Sequence, residues 1–556
     1  MKKLFVAFLL LLALPASLLA KGGVVSAADP RAAEAGREIL REGGSASDAA
    51  IAMMLALSVV EPQSSGIGGG GFMIHNDGRT GAAETLDGRE TAPSSASPKL
   101  FLGADGKPMG FLQAVPGGRS VGVPGNIALA ARAHAKWGKL RWSALFQPAI
   151  HLAENGYQVT PRLAAGLALV KNIWPDFAAA QAIYWQDGRP KQVGDTVKNP
   201  ALAALLRMIA AKGPKVFYSG RNAEAIIAAA GQSKRNPTVI TKRDIAAYRS
   251  NERAAVCSPY REYRLCGVGP PSSGATTVFQ ILGMLERFDL KALGKDNPQS
   301  WHLIAEAMFL GYADREKYLG DPGFVSVPVA GLLDKSYIAS RSALISPDTS
   351  LPRYEAGTPP GAQPRTAAIS SEVAGTTHFI AVDGNGDIAS MTSTVEGPFG
   401  SQLVANGYFL NNELTDFTFA PEKDGAPVAN RVEAGKRPLS SMSPTIVYDR
   451  DGKAIFAVGA AGGKTIIMQV AKTLIAHLDW GLSARDALAA PNIYMAGEAV
   501  LVEPDTSLSA MQGALAGFGR TVVAGRMSSK ANAAERTTAG WQGAADPRSE
   551  GVALQE

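Results

Sequence analysis

The sequence predicts a large globular protein of mixed helix and strand, and three observations predict it. Hydrophobic residues make up 46% of the 556 residues and charged residues 19%, against roughly 25% charged in an ordinary globular chain, which excludes disorder and collagen-like repeats. Apolar residues recur at helical spacing through most of the first half. From Thr376 to Asp383 and from Ile388 to Val395 they alternate at period two instead. Length alone, at about 150 residues per domain, suggests three or four domains, but one large layered unit stays open.

The elements follow in order. Lys2 and Lys3 precede an apolar run from Leu4 to Leu14, then Pro15 and small residues to Ala20, which reads as a secretory signal over residues 1–20 and predicts a periplasmic or secreted protein. That run is too short to span a bilayer, and no stable membrane insertion is expected. Asp29-Pro30 opens a helix that Gly43-Gly44 closes. A second helix, Asp48 to Val60, is apolar nearly all round and therefore expected to be buried. An apolar run at Phe72-Met73-Ile74 and the segment Glu84 to Glu90 come next. Further helices are expected at 125–136, 142–154, 200–211, 273–287 and 298–318. From Pro352 to Gly375 the chain is rich in Pro, Gly and Ser without periodicity, as in an exposed linker. Thr376 to Asp383 and Ile388 to Val395 alternate around the turn Asp383-Gly-Asn-Gly-Asp387, a β-hairpin pattern. A helix from Lys464 to Asp479 and a shorter one from Ser483 close the list.

Charge is uninformative about partners. Fifty-five Lys+Arg against 49 Asp+Glu give +6, and loss of the signal's two lysines leaves +4. No basic stripe interleaved with aromatics appears, so no nucleic-acid partner is expected. Cys257 and Cys266 flank two short strands around a turn; in an oxidising compartment they could close a ten-residue loop, or they could be two buried thiols. Neither has the Cys or His neighbours of a zinc site.

Several motifs lack their structural context. Gly66-x-Gly68-x-x-Gly71 follows a helix and precedes a strand, the reverse of a dinucleotide site. Gly459-Ala-Ala-Gly-Gly463-Lys464-Thr465 is one residue short of a phosphate loop, although its backbone N–H groups could face an anion. Asp383-x-Asn385-x-Asp387 lacks the glycine and terminal Glu of a calcium loop. The six histidines are scattered, without an HExxH pair, and there is no Gly-x-Ser-x-Gly elbow. No metal and no cofactor are expected. One arrangement needs no histidine: an N-terminal Thr whose own α-amine is the base for its hydroxyl. Ala374-Gly375-Thr376-Thr377, where a flexible stretch meets a strand, offers such a setting. On spacing alone Thr376 also reads as an ordinary strand threonine.

Resemblance separates these readings. Gly375-Thr-Thr-His-Phe379, Leu410-Asn-Asn-Glu-Leu-Thr-Asp-Phe417, Lys436-Arg-Pro-Leu-Ser-Ser-Met-Ser-Pro-Thr445 and Gly459-Ala-Ala-Gly-Gly463 resemble the γ-glutamyltranspeptidase (glutathione hydrolase) family. Leu40-Arg-Glu-Gly-Gly44, Gly68-Gly-Gly-Gly-Phe72, Asp87-Gly-Arg-Glu90, Pro270-Pro-Ser-Ser-Gly274 and Asp546-Pro-Arg-Ser549 extend the likeness along the chain in order. The resemblance implies an α+β fold, the four-layer αββα sandwich of the N-terminal-nucleophile hydrolases, built as one domain. It implies autocleavage between Gly375 and Thr376 into a large subunit, 21–375, and a small catalytic subunit, 376–556, that stay together as a heterodimer.

Matched motif by motif, Thr376 corresponds to the nucleophile and Thr394 to the threonine that orients it. Gly462 and Gly463 correspond to the oxyanion donors. Arg89, with Ser440 and Ser441, corresponds to the grip on the substrate α-carboxylate, and Glu413 and Asp416 to the groups receiving the α-ammonium. Glu396 stands where many members have Asn, making the pocket more acidic. The loop from Phe417 to Arg437 has no Tyr and is shorter than the lid of lid-bearing bacterial members. The implied activity is hydrolysis or transfer of the γ-glutamyl group of glutathione and related small molecules, to water or an amine acceptor. Two alternatives are a cephalosporin (glutaryl) acylase-like amide hydrolase with the same nucleophile, and an unprocessed periplasmic binding protein.

Overall fold

The computed structural model describes residues 22–368, 372–373 and 375–556. The expected signal segment lies outside them, as does Ala374. Strand β1 (Val24–Ala27) leads into helices α1 (Pro30–Arg41) and α2 (Ala46–Val60), then strands β2 (Gly70–Asn76) and β3 (Ala83–Asp87). After a region of short helices come β4 (Asn251–Ala254), β5 (Val256–Tyr260), β6 (Tyr263–Gly267), α3 (Gly274–Leu285) and α4 (Pro298–Tyr318). The last third holds β7 (Thr376–Val382), β8 (Ile388–Thr394), β9 (Thr445–Tyr448), β10 (Ala454–Ala461), α5 (Thr465–Leu478), β11 (Lys530–Thr537), β12 (Gly540–Ala545) and β13 (Val552–Gln555).

Seven strands form one antiparallel sheet in the order β13-β1-β7-β8-β2-β3-β4, and six form a second in the order β12-β11-β10-β9-β6-β5. The period-two alternation of β7 assigns its two faces. Phe379 and Ala381 pack with Ile51 and Leu55 of α2, whereas Ile380 and Val382 pack into the core that holds the second sheet and α3, α4 and α5. The layers are therefore helices, sheet, sheet, helices, the αββα sandwich.

All fifteen residues of α2 are buried. It begins two residues before the expected Asp48, because Ser45 caps it and Asp48 is the third residue, returning a hydrogen bond to the cap N–H. The expected helix at 142–154 is instead a single 3-10 turn, Ala144–Phe146, followed by a helix Gln147–Asn155. Pro148 lacks an N–H and fits a first helical turn, not a helix interior. Helix α4 matches its expected bounds, opened by Asn297 and Pro298. Cys257 and Cys266 lie directly opposite each other on β5 and β6 and form a disulfide. Among the described residues no helix is long and apolar enough to cross a membrane.

Candidate active site

The site forms where the first residues of β7 meet the ends of neighbouring elements. Thr376 and Thr394 are opposite each other across the β7–β8 pair, and their hydroxyl oxygens are 3.1 Å apart. Thr394 Oγ1 accepts from the Thr376 hydroxyl and from the N–H of Glu396 at 2.8 Å, and its own proton points to Gly375 O, 3.5 Å away. Gly375 is required by space, since a Cβ there would sit 2.0 Å from Glu396 O. His378, two residues along the same face, is packed against Gly459 and bonded to Thr392 Oγ1. Burial pushes its pKa down to about 3, so it stays neutral and part of the core.

Across from Thr376, β10 ends and α5 begins at Gly462 and Gly463, with φ of +141° and +59°. Side chains at these positions would meet Thr465 Oγ1 at 2.5 Å and Val373 O at 3.0 Å respectively. The backbone alone therefore faces the cavity at Gly463, as oxyanion binding by N–H groups demands.

The charged wall is built around Arg89, just past β3. Its guanidinium donates to Glu413 and to Asp416, both on the short 3-10 turn Glu413–Asp416, and also to Pro438 O (3.2 Å) and Leu439 O (2.7 Å). Arg89, Glu413 and Asp416 are all buried. The opposite charges expected to grip the two ends of a zwitterion are thus paired with each other in the free protein. A ligand bearing both charges can exchange with this pair without leaving either buried charge uncompensated.

Burial pushes the carboxyls of Glu396, Glu413 and Asp416 upward, Asp416 to about 8. Glu90, beside Arg89, is pushed up to about 7 by the same cause. Glu396 sits at φ +76°, a region that costs a non-glycine residue roughly 1–3 kcal/mol, and accepts the N–H of Val373 at 2.8 Å. Ser440 and Ser441 are buried on the following segment; Ser441 Oγ accepts from Arg315 Nη2 at 2.9 Å.

One small cavity is lined by Arg89, Thr376, Thr394, Glu396, Glu413, Asp416, Ser440, Ser441 and Gly463 together, and Gly462 adjoins it. Four residues at or beside the cavity have no role assigned from the sequence. Glu90 lies inside a quoted motif without a role. Glu372 and Val373 of the linker also line the cavity, and Arg315 of α4 holds Glu372 by an ion pair. Arg315 is fully buried and also pairs with Glu316. Its position on a helix 57 residues upstream of Glu372 gives no local signal of that meeting.

Comparison with known proteins decides the lineage. Residues 32–556 match the family model described as gamma-glutamyltranspeptidase. This chain belongs to that family. The glutathione hydrolase proenzyme of Bacillus subtilis strain 168 is 38% identical over 486 residues, covering 85% of this chain and 81% of the relative. The gamma-glutamyltranspeptidase structure from Helicobacter pylori is 38% identical over 59% of this chain and 93% of that one, with a TM-score of 0.57. Cephalosporin acylase from Bacillus halodurans superposes over 96% of both chains with a TM-score of 0.84 at 29% identity. The family membership agrees with the αββα layering and with the order of motifs from Arg89 to Gly463.

Proposed function

We propose that the protein is a γ-glutamyl hydrolase and transferase that acts on glutathione and related small γ-glutamyl amides. The observation that carries this reading is the Thr376–Thr394 hydroxyl pair in one cavity with the Arg89–Asp416 ion pair. A γ-glutamyl group bears a carboxylate and an ammonium on one carbon. Arg89, helped by Ser440 and Ser441, would take the first, and Asp416, Glu413 and Glu396 the second. The guanidinium fork suits a carboxylate.

Maturation precedes catalysis. Thr376 Oγ attacks the Gly375 carbonyl, the C–N bond breaks, and the α-amine is freed as the acyl group moves from N to O; water then releases Gly375. Thr394, within reach of both Thr376 Oγ1 and Gly375 O, is placed to hold the hydroxyl in line. In the uncut chain Glu372 and Val373 line the cavity beside Thr376, so movement of the cut end would widen it for a donor. The products are a large subunit, 21–375, and a small one, 376–556, held as a heterodimer.

In turnover the freed amine takes the Thr376 hydroxyl proton, the oxygen bonds to the γ-carbonyl carbon, and the Gly462 and Gly463 N–H groups receive the developing oxyanion. The C–N bond breaks, the proton leaves with the amine, and water or an acceptor amine resolves the ester. A periplasmic or secreted location follows from the residue 1–20 segment. Release of p-nitroaniline from its γ-glutamyl anilide, with and without a dipeptide acceptor, tests the reading; absence of turnover by processed protein refutes it.

The likeness to a cephalosporin acylase supports a second reading, glutaryl amide hydrolysis. It would leave the Asp416 carboxylate facing a methylene, a cost borne by an unpaired buried group. A binding protein that is never cut would run as a single band on a denaturing gel.

A further inference from the structure

Behind the glycine turn that carries the two proposed oxyanion donors lies one amide side chain. Gln469 sits one helical turn after Thr465 on the same face of α5 and is buried. Gly463 lines the cavity and Gln469 does not. Gln469 Nε2 donates to Ala461 O and to Thr465 Oγ1, each at 2.9 Å, with Ser528 O at 3.3 Å beside them. Thr465 Oγ1 extends the chain of bonds by donating to Gly462 O at 2.8 Å. The other end of the amide is committed as well: Oε1 faces the Lys530 N–H at 3.3 Å and the Ser529 hydroxyl at 3.1 Å. Turned over, the amide would set its oxygen against two carbonyls, so one orientation alone satisfies these neighbours.

A trans peptide is planar, and its C=O and N–H point in opposite directions. Ala461 O is drawn to Gln469, so the Gly462 N–H of the same peptide points away from it. Gly462 O is held by Thr465, which Gln469 holds in turn, so the Gly463 N–H also points away from that hydroxyl. Glycine offers no side chain of its own to fix either plane.

We propose that Gln469 is the positioning residue of the oxyanion site, fixing one peptide plane through Ala461 O and the next through Thr465, so that both N–H groups stay aimed where charge develops on the γ-carbonyl oxygen. This role rests on the γ-glutamyl reading and on the backbone of Gly462 and Gly463 as the oxyanion donors, and it adds a residue outside the cavity lining that touches neither donor nor Thr376.

The oxyanion exists in the transition state and not in the bound donor, whose two charged groups are gripped at the Arg89 wall. Acylation and deacylation pass through the same oxyanion and slow together. Loss of Gln469 therefore appears in kcat and not in KM.

The experiment uses processed enzyme and the γ-glutamyl anilide. Gln469→Leu keeps the bulk and removes every bond of the amide; kcat should fall by about 10- to 100-fold with KM within about twofold. A γ-boronate analogue of glutamate supplies the second readout. Its boron bonds to the Thr376 oxygen, the hydroxyl proton passes to the α-amine, and the tetrahedral boronate sets an oxygen in the oxyanion site; its inhibition constant should rise by the same factor as kcat falls. An unchanged kcat in Q469L, with the unaltered enzyme active, overturns the role of Gln469 alone. So does a loss shared by KM and kcat in which boronate binding weakens no more than KM rises, because that is general damage to the fold. An unaltered processed enzyme that fails to turn over takes down the γ-glutamyl reading and this role with it. Should Q469L not fold or not be processed, Thr465→Val decides, since it breaks only the link to Gly462 O: a kcat lower by about threefold or more at unchanged KM supports the chain of bonds, and an unchanged kcat overturns it.

Discussion

The hydroxyl of Thr394 lies 3.1 Å from that of Thr376 and takes the backbone N–H of Glu396 as well. It accepts from the Thr376 hydroxyl and directs its own proton toward Gly375 O. Thr376→Ala should leave a single chain without activity, whereas the unaltered protein should give bands near 37 and 19 kDa, its 57.9 kDa shared in proportion to 355 and 181 residues of 556. Thr376→Ser should retain part of both properties. Thr394→Val keeps the shape and removes the hydroxyl that receives the Thr376 proton; cleavage and turnover should each slow by about 100-fold. Gel densitometry over time and anilide kinetics read the two effects.

Arg89 makes four hydrogen bonds from one planar group. Arg89→Lys cannot span Glu413, Asp416 and two carbonyls at once. We expect KM for the γ-glutamyl anilide to rise by about 10- to 100-fold, equivalent to roughly 1.5–3 kcal/mol for a charged hydrogen bond, with a smaller change in kcat. An unchanged KM would remove Arg89 from the donor site.

The protein's stability should carry two opposing pH dependences. Burial holds His75 at about 4 and His378 at about 3, below the ordinary value of 6.5, so their contribution falls away as pH drops from 6.5 toward those values. Burial raises Glu90 to about 7 and Asp416 to about 8, so their contribution is complete below their ordinary values near 4 and is lost as pH climbs through 7 to 8; burial also raises Glu396 and Glu413, which act with the same sign. E396Q removes one acid that must stay protonated while keeping an oxygen for the Val373 N–H. Its Tm should exceed that of the unaltered protein at pH 8 and match it near pH 4.5. Equal Tm values at both pH values would contradict a buried Glu396 that holds its proton.

Gly462, at φ +141°, occupies backbone space closed to other residues, and a Cβ would meet Thr465 Oγ1 at 2.5 Å. Gly463, at +59°, lies in the left-handed region that alanine enters at roughly 1–2 kcal/mol. Gly462→Ala should therefore lose more kcat than Gly463→Ala, measured on protein with the same content of processed chain.

Replacing Cys257 and Cys266 by Ser should lower stability by about 2–3 kcal/mol, the chain-entropy value for so short a loop. The disulfide lies on β5 and β6, outside the cavity lining, so kcat should not change. Denaturant unfolding under non-reducing conditions measures the loss.

What could be read from residues alone was whatever local pattern encodes. The ends of β7 and β8 follow from alternation around Asp383-Gly-Asn-Gly-Asp387, and the bounds of α4 from Asn297-Pro298 and a run of apolar positions. The candidate site was reached through motif resemblance, which brought ten residues to one cavity and its rim without saying how they meet. The Arg89–Asp416 pair joins positions 327 residues apart, and the Arg315–Glu372 pair joins a helix to a linker that lacks periodicity. Both depend on how layers stack, which no short window of sequence contains. The pairing of β1 between β7 and β13 was likewise hidden, since a four-residue strand gives too few alternations to register.

That short strand has a consequence for a severed backbone. Val24–Ala27 is clasped on both sides by strands from beyond residue 375, and Ile388–Thr394 lies beside Gly70–Asn76. Breaking the chain at Gly375 would thus free one end without separating the halves: each would still supply strands that the other's sheet cannot close without. Parting them requires melting the sandwich, and neither half on its own should be recoverable as a native body.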